Sequence, residues 1–162
     1  MTEAAVRVIG CGNRDAGDDG AGLAALPEVR RLLHEQPGVE IVEAGTPTRL
    51  LDLLQEGRPA VVVDAVRSRG AYRPGEIVRV DDLRDGIPEG LRSALSSHGL
   101  GVAETVGVAA AMRPLGRVAF VGVEARDVAA GSPLSPPVRA ALPRLAAAAA
   151  ELAGALAEVT LP

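Results

Sequence analysis

The stretch AVVVDAV, residues 60–66, is a β-branched apolar run interrupted by one carboxylate. Such a run, without polar alternation, marks a strand covered on both faces. VRVIG at residues 6–10 and RVAFVGV at residues 117–123 have the same character. Strands are expected at Val6–Gly10, Val39–Glu43, Ala60–Asp64, Glu76–Val80 and Arg117–Val123. Helical patterns separate most of them, which predicts the α/β class: a mostly parallel sheet with helices on both faces.

The helix starts carry recognisable chemistry. Asp18-Asp19 precedes the first helix and places acceptors and negative charge at its N-terminus. Pro27 bends or restarts that helix, so Glu28–Gln36 reads as a continuation. Thr46-Pro47 opens the second, with Leu50, Leu51, Leu53 and Leu54 as its apolar face. Ser96-Ser97 opens the third, over Gly101–Met112, and Ser135-Pro136-Pro137 opens the last. Between Ala65 and Gly75 there is no room for a helical crossover, and Arg73-Pro74-Gly75 is turn chemistry. The strand at Glu76–Val80 is therefore expected to run antiparallel to its predecessor, making the sheet mixed.

At 162 residues the chain suits one domain, spanning 1–162. Lys+Arg 17 against Asp+Glu 21, for a net charge of -4, leaves no basic stripe for phosphate backbones, so nucleic acid is not an expected partner. With Trp 0, Tyr 1 and Phe 1 there is no aromatic platform for bases or sugars. The single cysteine can form no internal disulfide, which fits a reducing cytoplasm. No apolar run is read as reaching bilayer-spanning length; the closest, AALPRLAAAAAELAGALAEV, carries Pro143, Arg144, Glu151 and Glu158 and reads as an amphipathic helix. No membrane partner is expected, and the protein is read as a cytoplasmic monomer.

Ligand sites of open α/β sheets collect beyond the carboxyl ends of the strands. Here those ends carry acids: Gly10-Cys11-Gly12-Asn13 leads to Asp18-Asp19, Glu43-Ala44-Gly45-Thr46 follows strand two, and Asp64 ends strand three. His98 stands just before the third helix. Two carboxylates and an imidazole from separate loops suit a divalent metal such as nickel or zinc. Each has a plainer reading: Asp19 as a helix cap, Asp64 as a paired buried acid, His98 as a surface residue. Cys11 reads as a small buried filler and His34 as solvated. Gly10-x-Gly12 holds only part of a dinucleotide fingerprint, and the acidic pair behind it repels a pyrophosphate. Its glycines read instead as allowing a tight reversal.

Five ordered segments, VIGCGNRDAGDDGAG, EAGTPTRLLDLL, VVVDAV with PGEIVRV, SSHGLGVAETV and VGVEARDVAAGSPLSPPV, resemble the nickel-iron hydrogenase maturation proteases. The resemblance implies a three-layer α/β/α sandwich with a five-stranded mixed, mostly parallel sheet. It implies that Asp19, Asp64 and His98 are the catalytic and metal-recognising residues. The metal would be nickel already installed in the hydrogenase large-subunit precursor, with zinc or another divalent ion as a surrogate. The implied activity is a metal-dependent endopeptidase that removes the precursor's C-terminal extension. Glu43, Gly45 and Thr46 fall on the family's substrate-recognition segment, commonly Asp-Gly-Gly-Thr; here the acid is longer and one Gly is Ala. Two rival readings remain: a maturation chaperone of the same fold without proteolysis, and a nucleotide-binding oxidoreductase domain.

Overall fold

The computed structural model describes residues 5–87, 91 and 101–160. Its strands are β1 (Val6–Cys11), β2 (Val39–Ala44), β3 (Ala60–Val66), β4 (Ile77–Val80) and β5 (Val118–Glu124). Its helices are α1 (Ala21–Ala24), α2 (Leu26–Leu32), α3 (Pro47–Gln55), α4 (Val102–Met112) and α5 (Pro136–Thr160). They form the expected five-stranded mixed sheet, in the order β2-β1-β3-β5-β4. β1 pairs in parallel with β2 and β3, β3 with β5, and only β4 runs antiparallel, against β5.

Topology follows from crossover handedness. The chain steps outward from β1 to β2 and then returns across β1 to β3; right-handed connections in opposite directions put their helices on opposite faces. One core accordingly joins Val6, Val8, Val61, Val63 and Val121 to α1, α2 and α5. The other joins Ile9, Val62, Val66, Val118 and Phe120 to α3 and α4. β1 and β5 are buried along their whole length, as their uninterrupted apolar sequences require. Arg7 in β1 and Glu124 at the end of β5 are exceptions in kind; the Arg7 guanidinium is buried where Glu40 at 2.6 Å and Glu56 at 2.7 Å neutralise it.

Local signals act largely as expected. Thr46 accepts the Arg49 amide at 3.1 Å and caps α3, with Pro47 at its first position. Pro27 restarts the helix as α2, which stops at Leu32, short of Gln36. The start of the third helix at Ser96-Ser97 lies outside the described residues.

Two expectations are corrected, on the Asp18-Asp19 pair and on the last helix. Asp18-Asp19 does not cap a helix: the pair sits in a 3-10 turn, Gly17–Gly20, and neither it nor α1 has a side-chain cap. β4 is antiparallel in direction to β3, as expected, and β5 lies between them. α5 is 25 residues of helix, apolar and long enough by those measures to cross a bilayer. It instead packs its buried Leu145, Ala149, Leu152 and Leu156 into the core that also holds β1, β3 and β5.

Candidate active site

β1 and β3 part company at the carboxyl edge. Their pairing ends at Gly10 and Val63, whereas β3 stays paired with β5 through Val66 and Glu124. Because the chain leaves β1 in one direction and β3 in the other, the gap between them is the switch point where open α/β sheets bind ligands. A cleft of about 310 Å³ opens there. Its walls include Cys11, Asn13, Asp19, Gly45, Thr46, Asp64, Arg67 and Thr105.

Asp64 is not the end of β3, as the sequence reading has it, but lies within the strand opposite Gly122. Apolar residues on both sides of it, Val63 and Val66, keep the strand going. The carboxylate is nevertheless at the cleft, because β1 has already turned away. It accepts one hydrogen bond among the described residues, from the Ala65 amide at 2.8 Å. Burial pushes its pKa up to about 7, opposed by that amide and reinforced by the charge of Asp19.

Asp19 reaches the same cleft from the turn after β1. Gly12 makes this possible: its φ is +122°, and a Cβ there would lie 1.9 Å from the Asp19 carbonyl oxygen. The Asn13 amide donates to that carbonyl at 3.2 Å and to Asp19 Oδ2 at 3.1 Å. Burial raises the pKa of Asp19, with the Asn13 amide and the charge of Arg67 acting against it. The glycine loop thus folds onto Asp19, and its Asn13 amide is already engaged. This is not the free nest of amides that a dinucleotide phosphate needs.

Gly45 and Thr46 line the cleft, and a Cβ on Gly45 would meet nothing within 4 Å. Thr46 contributes its cleft surface while its hydroxyl caps α3. Glu43 is not brought into the cleft: it is exposed on β2 and paired with Arg14, whose hydrogen bonds hold its carboxyl below the ordinary range. His98 lies outside the described residues. Cys11 is buried at the cleft floor, where burial first, and then the charges of Asp64 and Asp19, push its thiol well above the usual value. His34 is on the surface beside Glu35.

Asn13, Arg67 and Thr105 line the cleft without having been singled out as site residues in the sequence. Arg67 follows β3 directly, three residues after Asp64, so proximity to a strand's carboxyl end was the available signal. Among the described residues no three His, Cys, Asp or Glu side chains cluster for a metal. Asp19 and Asp64 do suit a divalent cation as donors: each makes few hydrogen bonds, is short of positive charge and retains free oxygen lone pairs.

A doubly wound sheet with paired carboxylates at its switch point defines a class of small α/β proteins that bind or act on a ligand held above the strand ends. Residues 26–152 match the family model of the HycI hydrogenase maturation proteases. The chain belongs to the hydrogenase maturation protease family. Solved structures agree with this. The [NiFe] hydrogenase maturation protease HybD from Thermococcus kodakarensis is 28% identical, with TM-score 0.68 over 91% of this chain and 98% of that one. The HycI protease of Thermococcus kodakarensis KOD1 is 23% identical, with TM-score 0.69 over 93% and 92%. The maturating endopeptidase HybD from E. coli, also 23% identical, has TM-score 0.68 over 95% and 93% and shares the fold. No curated protein matches the chain.

Proposed function

We propose that this protein is the endopeptidase that removes the C-terminal extension of a nickel-iron hydrogenase large-subunit precursor once nickel is in place. The observation that carries the reading is the placement of Asp19 and Asp64, sparsely hydrogen-bonded, on one cleft at the switch point. Two carboxylates so placed favour a cation between them, because each raises the cost of the other's charge. The nickel arrives with the substrate, and His98 is the third group proposed to recognise it. A precursor without metal leaves the carboxylates uncompensated, so loading is read before cutting. Asp19, Asp64 and His98 would hold a divalent ion there, which would supply Lewis-acid polarisation of the scissile carbonyl or of the attacking water.

The chain's own groups do the rest. Gly12 and Asn13 fix the Asp19 backbone, and Asp64 is held by β3 and β5. Gly45, without a side chain, leaves that wall of the cleft open to an extended peptide, with Thr46 beside it; these two are the proposed substrate contacts. Glu43 belongs to the same segment and is proposed to aid substrate recognition from outside the cleft, where it is paired with Arg14. We place this activity in the cytoplasm and in a monomer comprising one domain.

The test is incubation with nickel-loaded precursor, read by intact mass. Loss of a C-terminal peptide by the wild-type protein, and no loss with His98→Ala, is the expected result. A precursor that binds but keeps its full mass would replace the protease by a chaperone of the same fold.

A further inference from the structure

Among the described cleft-lining residues, Arg67 alone carries a positive charge. It is exposed, and its guanidinium has no hydrogen bond or ion pair among the described residues; the charge it acts on is that of Asp19. Its backbone, by contrast, is anchored on both sides. The Val66 carbonyl accepts the Ala125 amide at 2.9 Å. Ser68 is clamped to the buried Glu124 carboxylate: its amide donates to the two oxygens at 3.0 and 3.1 Å, and its hydroxyl donates at 2.9 Å. The Tyr72 amide closes the loop onto the Ser68 hydroxyl at 2.9 Å. A long cationic side chain is thus mounted on a rigid base beside the two carboxylates and, among the described residues, has no hydrogen-bonded partner, only the charge of Asp19. Holding the base rigid lowers the ordering cost of any contact the side chain makes.

We infer that Arg67 is a specificity-determining residue that pairs with an acidic side chain of the substrate, close to the scissile bond. The inference rests on the endopeptidase reading above. When the substrate's metal takes up the charge of Asp19 and Asp64, Arg67 loses its counter-charge in the cleft. A guanidinium matches a carboxylate as a two-point donor. A neutral peptide would leave it unpaired, whereas an acidic one completes the charge balance. The partner is a peptide and not a nucleic acid, since among the described residues the cleft's other charges are negative and no aromatic side chain lines it.

The experiment measures kcat and KM by intact mass on nickel-loaded precursor in two forms, intact and with the Asp and Glu residues flanking the cut changed to amides. Arg67→Gln is expected to raise KM about tenfold on the intact form with kcat within about twofold, and Arg67→Lys to recover part of the loss. On the amide form, wild type and Arg67→Gln should have the same, raised KM. Arg113→Gln removes an equal charge at the far end of α4, about 16 Å of helix from the cleft, and should change neither constant. The inference fails if Arg67→Gln leaves KM unchanged, if the amide form is processed as well as the intact one, or if the precursor has no acid flanking the cut. Failure of the underlying reading looks different: the wild-type protein then releases no peptide from either form.

Discussion

Asp18 and Asp19 leave one 3-10 turn in opposite directions, and their surroundings divide the carboxyl edge of the sheet into two regions. On one side, Asp18 is fully buried and accepts four hydrogen bonds: from the Arg126, Asp127 and Ser135 amides at 2.8, 3.0 and 2.7 Å, and from the Ser135 hydroxyl at 2.7 Å. Burial alone would raise its pKa, yet these donors hold it below the usual carboxylate range. Glu124 belongs to the same region, with its oxygens engaged by Ser68. On the other side, Asp19 and Asp64 are also taken from water but, among the described residues, receive one amide each in the way of side-chain bonds, and both are shifted upward. What separates framework from chemistry here is the number of donors facing a carboxylate, since the residue type is the same and burial occurs on both sides. Asp18 ties the turn after β1 to the loop after β5, and Glu124 ties the ends of β3 and β5 together; Asp19 and Asp64, with fewer donors among the described residues, are the pair proposed to meet a ligand.

The largest effect should come from the unsatisfied side. Asp64→Asn keeps the shape and the Ala65 contact but removes the ionisable group, and is expected to slow precursor processing by about a thousandfold or more, roughly 4 kcal/mol of barrier. Initial rates by intact mass measure this, with circular dichroism reporting an unchanged fold. A variant that still processes within tenfold of wild type would remove Asp64 from the chemistry.

Next comes the satisfied side. Asp18→Ala strands the buried Ser135 amide and hydroxyl and takes the acceptor from the part-buried Arg126 and Asp127 amides, and is expected to lower unfolding free energy by about 3 kcal/mol. Denaturant titration gives the value. A loss under 1 kcal/mol, about that of one ordinary hydrogen bond, would mean that water replaces the carboxylate and the two regions are not distinct.

Opposite pKa shifts predict opposite pH responses. Asp64 has a folded value of about 7 against an ordinary 3.8, so the folded state holds its proton more tightly than the unfolded one. Its contribution is fully present below the unfolded value and declines as pH rises toward about 7. Asp18 is shifted down, so its contribution is present above the unfolded value and declines as pH falls through the folded one. Melting of metal-free protein between pH 4 and 8 should therefore show Asp64→Asn gaining on wild type as pH rises. A gap between the two that is independent of pH would show that Asp64 is not shifted upward by the fold.

Much of this was legible in the sequence, for local reasons. Asp64 stands out as a lone acid in an apolar strand, and the Thr46-Pro47 start of α3 depends on adjacent residues. Features that depend on distant partners were not legible. Asp18 binds residues 108 to 117 positions away, so nothing beside it distinguishes it from Asp19, and both read equally well as caps. Arg7 sits inside an apparent apolar strand because Glu40 and Glu56 come to it from elsewhere. The end of β3 was misplaced because a carboxylate looks like a strand terminus, whereas pairing with β5 carries the strand two residues further. The antiparallel direction of β4 followed from a short connection, but connection length says nothing about β5 entering between. Glu43 was placed with Gly45 and Thr46 by motif, yet Glu43 lies on β2 whereas Gly45 and Thr46 lie past its end, and Glu43 pairs with Arg14 away from the cleft.

Cys11 sharpens the comparison at its smallest scale. It stands on the cleft floor against both unsatisfied carboxylates, the position of a nucleophile, but its surroundings oppose thiolate formation: burial and two negative charges all raise its pKa. A reactive cysteine needs the reverse, a nearby cation or a helix N-terminus. The residue is therefore read as packing, continuous with Ile9, Ala44 and Leu50 in the α3-side core. Cys11→Ala should leave processing within about twofold of wild type and cost about 1 kcal/mol of stability through the lost sulfur contacts. Native protein should resist iodoacetamide until unfolded. Rapid alkylation at neutral pH, with loss of processing, would show that the carboxylates do not govern the thiol and that the floor of the cleft carries chemistry of its own.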